Sequence, residues 1–195
     1  MTPVVTALRE RKRNRVAVEL DGRPWRVLPT DAVVRAGLAV GHPLDRPTAR
    51  ELAREVRRAR ALAAATRTLA ASDRSARALE QRLARGGHSA AAREGALASL
   101  ARSGAIDDTR LAQGRALTLA RRGYGDAAIR ADLRRRLIAP EAAATAVAAL
   151  EPEAARLQQL LENESVTPAL VRRLAGRGFS RDSLDEVLSS FALGT

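Results

Sequence analysis

The sequence predicts a mostly α-helical protein: three tandem three-helix repeats forming an elongated, curved array, preceded by a small N-terminal β-hairpin and helix module. Three observations lead there. The chain is dominated by Ala, Leu and Arg, with 29% charged residues and 2% aromatics, a composition that favours helices over strands. Apolar residues recur in the same register in three successive segments. Near the N-terminus a single Asp-Gly dipeptide lies between alternating segments, the signature of a two-residue hairpin.

Residues 1–15 are expected to form a basic, flexible arm, with Arg11, Lys12, Arg13 and Arg15 as the densest cationic run of the chain. Such an arm either adds nonspecific affinity for nucleic acid or is a solvated tail. Residues 16–47 read as the hairpin and a short helix. Pairing Leu20 with Arg23 across Asp21-Gly22 places Val18 opposite Trp25 and Val16 opposite Val27, all on one face. Pro24 lacks an N–H donor, which suits an edge strand. A lone hairpin is marginal in water, so it should pack on a neighbour. A short helix then runs from an N-cap at Thr30 to a stop at Gly37.

Residues 48–106 hold a long helix and the first repeat. Thr48-Ala-Arg-Glu51 has the capping-box pattern, opening a helix to about Ala71. Leu79, Ile129 and Leu170 are equivalent anchors. Four residues on stand Leu83, Leu133 and Leu174; eighteen on, Leu97, Val147 and Leu188; twenty-one on, Leu100, Leu150 and Phe191. Ten before the anchors are Leu69, Leu119 and Leu160, and turns fall at His88, Ile138 and Phe179. Each unit reads as three short helices: 61–71, 75–85 and 89–102; then, in residues 107–150, 107–122, 126–137 and 140–150; then, in residues 151–195, 152–164, 168–175 and 181–191. Asp107 is an expected N-cap and Pro140 an expected first helical residue. Each unit is too small to bury its apolar face alone, so neighbours should stack.

Several function classes are excluded. There is no cysteine, hence no disulfide or thiolate site. No stretch of about eighteen apolar residues is present to span a membrane, and Arg9–Arg15 follows without an apolar signal core, so a cytoplasmic protein is expected. A phosphate-cradling Gly-rich loop is missing. His42 and His88 are far apart and read as structural, so neither a metal nor another cofactor is expected. Asp107-Asp108 is the one paired-carboxylate candidate, and helix capping explains it better than catalysis. The protein reads as a non-enzyme.

The formal net charge is +12, which points to an anionic partner. The charge is uneven: residues 1–60 carry 14 basic against 7 acidic side chains, whereas residues 151–195 carry 5 against 7. Codon bias alone does not make one end basic and the other acidic. Arg121 and Arg122 end one helix of the second repeat; Arg134 and Arg135 end the next, with Arg130 one turn earlier. Basic residues at helix C-termini also complement the dipole, which is the plainer explanation. Arg115 shares a stripe with Leu111 and Leu119, so it should meet a carboxylate or reach out to solvent. With few aromatics, recognition by stacking platforms is not expected, and any affinity for nucleic acid should be electrostatic and salt-sensitive.

The stretch Gly104-Ala-Ile-Asp-Asp108, then Arg110-Leu-Ala112, Arg122-Gly-Tyr-Gly125 and Ile129-Arg-x-x-Leu133 resembles the RecX family, regulators of the RecA recombinase. The order of basic start, Leu-Asp-Gly hairpin and three repeats is similar over nearly the whole chain. Leu111 departs from the pattern, where an aromatic is more usual. The resemblance implies a monomeric, non-enzymatic modulator. Members of the family bind the RecA-DNA filament and inhibit strand exchange, ATP hydrolysis and co-protease activity, by blocking extension or promoting disassembly. Some also bind single- or double-stranded DNA directly. Charge placement, not the family, nominates the contacts: Arg11, Lys12, Arg13, Arg15, Arg121, Arg122, Arg130, Arg134 and Arg135. The competing readings are a direct, sequence-tolerant DNA- or RNA-binding helical repeat protein and a ribosome-associated factor.

Overall fold

In a computed structural model the described residues are 2–162, 164 and 166–193, with side chains at 190–193 excepted. They form a three-stranded antiparallel sheet followed by ten helices, in two compact units. One comprises Met1–Ser72 and Leu79–Ile106, the other Asp73–Ala78 and Asp107–Thr195.

The first unit opens with strands β1 (Val5–Arg11), β2 (Arg15–Leu20) and β3 (Arg23–Pro29). The expected flexible arm is therefore corrected: residues 5–11 are a strand that widens the hairpin to three strands. Burial drives this, because Val5 lies in the core with Val16, Val18 and Leu28. Main-chain bonds from Val5 N–H to the His42 carbonyl (3.0 Å) and from Gly41 N–H to the Val5 carbonyl (2.8 Å) fix its outer edge. The β2–β3 turn is as expected, with Asp21 and Gly22 at φ 48° and 75°. The register beyond it is not. A bulge after the Glu19–Pro24 pair leaves Trp25 without a partner, so Val18 faces Arg26 and Val16 faces Leu28. Leu28 enters the core, while Trp25 and Val27, expected on one face with Val16 and Val18, stay 37% and 48% exposed. One inserted residue reverses which side chains face the core.

Helix α1 (Thr30–Arg35) has Pro29 rather than Thr30 at its N-cap, and Gly37 (φ 62°) lies just beyond its end. Helix α2 (Arg46–Ala71) starts two residues before the capping box, since Asp45 caps it by accepting from Thr48 N–H at 2.9 Å. That bond holds the Asp45 carboxyl below its ordinary range. Helices α3 (Ala76–Arg85) and α4 (Ala90–Arg102) complete the first repeat. Where α2 meets α4 the contact is made of Ala61, Ala92 and Ala96, and small side chains let the backbones approach. Arg58 crosses the same interface, bonded to Glu55 (2.8 Å), Asp31 (2.7 Å) and Ser99 (3.2 Å). It links α1, α2 and α4 through one guanidinium.

In the second unit α5 (Asp108–Arg121), α6 (Asp126–Arg135) and α7 (Pro140–Ala148) form the second repeat; α8 (Glu153–Leu161), α9 (Pro168–Gly176) and α10 (Arg181–Leu193) form the third. The three anchors and the leucines four residues on are all buried, each such side chain contributing roughly 1.5–3 kcal/mol. Helices α3, α6 and α9 end in one Schellman turn. The N–H groups of His88, Ile138 and Phe179 reach back to the carbonyls of Leu83, Leu133 and Leu174 at 3.2, 3.2 and 3.3 Å. The residues before them, Gly87, Leu137 and Gly178, all have positive φ. Periodicity weakens elsewhere. Leu119 is buried but Leu160 is 39% exposed, and α8 buries Leu157 and Leu161 instead. The Phe191 side chain lies outside the described residues.

Candidate nucleic-acid interface

Four of the nominated cations lie in the first unit and five in the second. In the first, Arg11 pairs with Arg15 across the turn Lys12-Arg13-Asn14. Arg13 and Asn14 hold φ of 64° and 52°, and the Asn14 carbonyl accepts from Thr30 N–H at 3.0 Å, so the turn is anchored. Because Val16 and Val18 face the core, the alternate positions Arg9, Arg11, Arg15, Ala17 and Val27 lie on the opposite face. Glu19 pairs with Arg9 there at 3.3 Å, and Arg15 donates to the Val27 carbonyl at 3.1 Å. Among the described residues Arg11, Lys12 and Arg13 have no carboxylate partner.

In the second unit all five nominated arginines are exposed, but the structure separates them. Arg130 pairs with Asp126 (3.2 Å) and Arg135 with Asp132 (3.4 Å) on their own helix. Exposed pairs of this kind contribute only about 0.3–0.5 kcal/mol, so neither guanidinium is locked away from another anion. Arg121, Arg122 and Arg134 have no ion-pair partner among the described residues. Arg121 and Arg122 close α5 beside Tyr124, while Arg134 lies at the far end of α6. Arg115 meets a carboxylate, donating to Asp132 through Nε (2.8 Å) and Nη2 (3.1 Å). Arg136 adds a third bond to Asp132 at 3.0 Å. The hydrogen bond from Arg115, reinforced by that from Arg136, outweighs burial and holds the Asp132 carboxyl down at about 2.

Both aspartates of the paired-carboxylate motif cap helices. Asp107 accepts from Arg110 N–H at 2.9 Å on its own helix. Asp108, the first residue of α5, accepts from Ala76 N–H at 2.9 Å, at the start of α3. Its counterpart is Glu153, the first residue of α8, which accepts from Asp126 N–H at 2.5 Å at the start of α6. Glu153 also takes bonds from Ser180 N–H (3.0 Å) and Ser183 Oγ (2.9 Å). Burial raises the Glu153 carboxyl, but these hydrogen bonds outweigh it and leave it below its ordinary range. A second bond accompanies each staple: Ser75 Oγ donates to the Arg136 carbonyl (2.7 Å), and Gly125 N–H to that of Arg177 (3.0 Å). Ser75 and Gly125 both stand four residues before their anchors, and Arg136 and Arg177 three after their leucines. The same two-bond junction is thus used twice.

Sequence reasoning missed this junction and its buried cation. Arg156 donates to the carbonyls of Glu151 (2.9 Å) and Tyr124 (3.1 Å) and to the Asp126 carboxylate. The local signal was an acidic residue opening each first helix; its partner helix lies about thirty residues away and leaves no local mark. Gly125 explains the Arg-Gly-Tyr-Gly stretch, since a Cβ there would lie 2.2 Å from Phe179 N. His42 Nδ1 lies 3.2 Å from the Gly37 carbonyl oxygen, and the His88 carbonyl accepts from Arg93 at 2.7 Å. Among the described residues no helix is long and apolar enough to cross a membrane.

No protein-family model matches the sequence, and no curated protein matches it. Solved structures do match the fold. The crystal structure of a regulatory protein RecX superimposes with a TM-score of 0.80 at 18% identity, over 96% of this chain and 99% of that one. The crystal structure of RecX from Lactobacillus salivarius gives a TM-score of 0.60 at 18% identity, covering 70% of this chain and 97% of that one. The chain has the fold of these RecX structures: mostly helical, with an N-terminal three-stranded sheet.

Proposed function

We propose that this chain is a RecX-type negative regulator of RecA. It binds the RecA-DNA filament and inhibits recombinase, ATPase and co-protease activities by blocking extension or promoting disassembly. It works as a monomeric, non-enzymatic protein of the cytoplasm. The observation that carries this reading is the fold likeness over nearly the full length of both chains. The motif order between Gly104 and Leu133 supports it independently, as a property of the sequence.

The motif residues are largely architectural: Asp107 and Asp108 cap helices, Ile129 and Leu133 fill the core, and Gly125 permits a backbone contact. The filament contacts are then the cations around them, with Arg121, Arg122 and Arg134 foremost because no carboxylate among the described residues pairs with them. Those of the sheet, Arg11, Lys12, Arg13 and Arg15, meet DNA through phosphates, which read no sequence. The same exposed cations favour a second reading, direct sequence-tolerant binding of DNA or RNA without RecA.

Co-sedimentation separates the two. RecA filaments on single-stranded DNA, held by a non-hydrolysable ATP analogue, should pull down the protein when RecA covers the DNA fully. Replacing Arg121, Arg122 and Arg134 together with Glu should weaken this at least tenfold while leaving the helical circular-dichroism spectrum unchanged. Binding to bare DNA alone, lost when RecA covers it, would favour the second reading.

A further inference from the structure

Helix α2 carries a row of arginines to which the RecA reading gives no role. Residues 46, 50, 53, 57, 60, 64, 67 and 71 follow an unbroken four-three spacing, and they read Arg, Arg, Ala, Arg, Arg, Ala, Arg, Ala. On an α-helix these positions fall within an arc of about 100°, and the arginines span about 32 Å of its length. Arg46, Arg50, Arg57, Arg60 and Arg67 are all exposed, on the side away from the buried Leu52, Glu55 and Ala65. Among the described residues none of the five has an ion-pair partner, because the two carboxylates of α2 are taken, Glu51 by Arg54 and Glu55 by Arg58. Glu94, across the groove between α2 and α4, makes no ion pair with Arg57. Like charges one turn apart, as in Arg46–Arg50 and Arg57–Arg60, destabilise a helix, and a solvated face ordinarily mixes both signs. The row is thus a cost that no carboxylate among the described residues offsets.

We infer that this face of α2 docks an acidic amphipathic α-helix of a partner protein, about three heptads long. A four-three repeat is the seam along which two helices pack at about 20°, staying side by side over several turns. Ala53, Ala64 and Ala71 are the holes of that seam, small enough to receive aliphatic side chains of the partner. The arginines beside them lay their stems on the partner and carry their guanidinium groups out to its flanking Glu or Asp residues. A nucleic-acid strand is the poorer occupant. It winds away from a continuous helix, and the row offers no aromatic, amide or hydroxyl side chain to hold a base or a sugar. The docking uses α2 alone, so it stands or falls separately from any action on RecA.

The probe is a fluorescently labelled, end-capped peptide of three heptads, with Leu at a, Ala at d and Glu at e and g. Its control has the same composition in scrambled order. In anisotropy titrations at low salt the full chain should bind the ordered peptide clearly more tightly than the scrambled one. Replacing Arg50, Arg57 and Arg60 together with Gln should weaken that binding about tenfold, as should Ala53→Glu, which places a carboxylate in the seam. Ala53→Glu also supplies Arg57 with a partner one turn away, so Tm should not fall and the lost binding is not unfolding. The assignment is overturned if the scrambled peptide binds as tightly as the ordered one, or if either variant binds like the unaltered chain. A triple variant that loses affinity for a 20-base-pair duplex while keeping it for the peptide overturns it equally, making the row a nucleic-acid surface.

Discussion

A Cβ built on Gly125 would lie 2.2 Å from the Phe179 amide nitrogen and 2.3 Å from the Gly178 carbonyl, whereas one on Gly114, inside α5, meets nothing within 4 Å. One substitution therefore has opposite expected effects. Gly125→Ala should destabilise the protein by about 3 kcal/mol or more, because two backbones must separate and the bond to Arg177 is lost. Gly114→Ala should stabilise it by roughly 0.5–1 kcal/mol, the ordinary helix-propensity gain. Urea denaturation followed by circular dichroism measures both. Asp132 supplies a pH-dependent term. Its carboxyl titrates near 3.8 in the unfolded chain and about 2 in the folded one. The folded state thus binds fewer protons, and the stabilisation is fully present above about pH 3.8 and lost as pH falls toward 2. Asp132→Asn should flatten that part of the stability–pH curve; an unchanged curve would remove the Arg115–Asp132 pair from the account. Arg115 was legible as a cation in need of a partner, but the identity of Asp132 was not, because seventeen residues and a turn separate them.

At the scale of elements, periodicity located the helices and placed Leu79, Leu83, Ile129, Leu133, Leu170 and Leu174 in the core. It failed where one local event changed the phase. The β3 bulge moved Trp25 and Val27 out of the core, and nothing in a two-residue alternation announces an inserted residue. Helix α8 buries Leu157 and Leu161 where the repeat register points to Leu160. Strand β1 was hidden by its own charge, since Arg9 and Arg11 lie on a solvated sheet face that reads as an arm. The repeat junctions were out of reach because they join helix ends distant in sequence. Glu153 is the residue to test there. Glu153→Ala removes one acceptor from the N-termini of both α6 and α10, and should cost roughly 1–3 kcal/mol. Native-state hydrogen exchange should show Asp126 and Ser180 amides losing protection before those inside α5. Loss of protection spread evenly over the unit would mean that Glu153 is not the local staple.

For the whole molecule, the candidate site was partly legible. Charge counting identified exposed arginines, but it could not tell Arg130 and Arg135, which have carboxylates beside them, from Arg121, Arg122 and Arg134, which have no ion-pair partner among the described residues. The acidic third repeat supplies Glu153 to a junction. The fold agrees with the family that the motif order suggests, and the central claim is the action on RecA that goes with it. The direct measurement is RecA's single-stranded-DNA-dependent ATP hydrolysis, titrated with this protein while bare DNA is kept in large excess. Inhibition at less than one protein per RecA, diminished by the Arg121, Arg122 and Arg134 to Glu variant, is the predicted result. Hydrolysis that stays unchanged until the protein is abundant enough to coat the DNA would contradict the account.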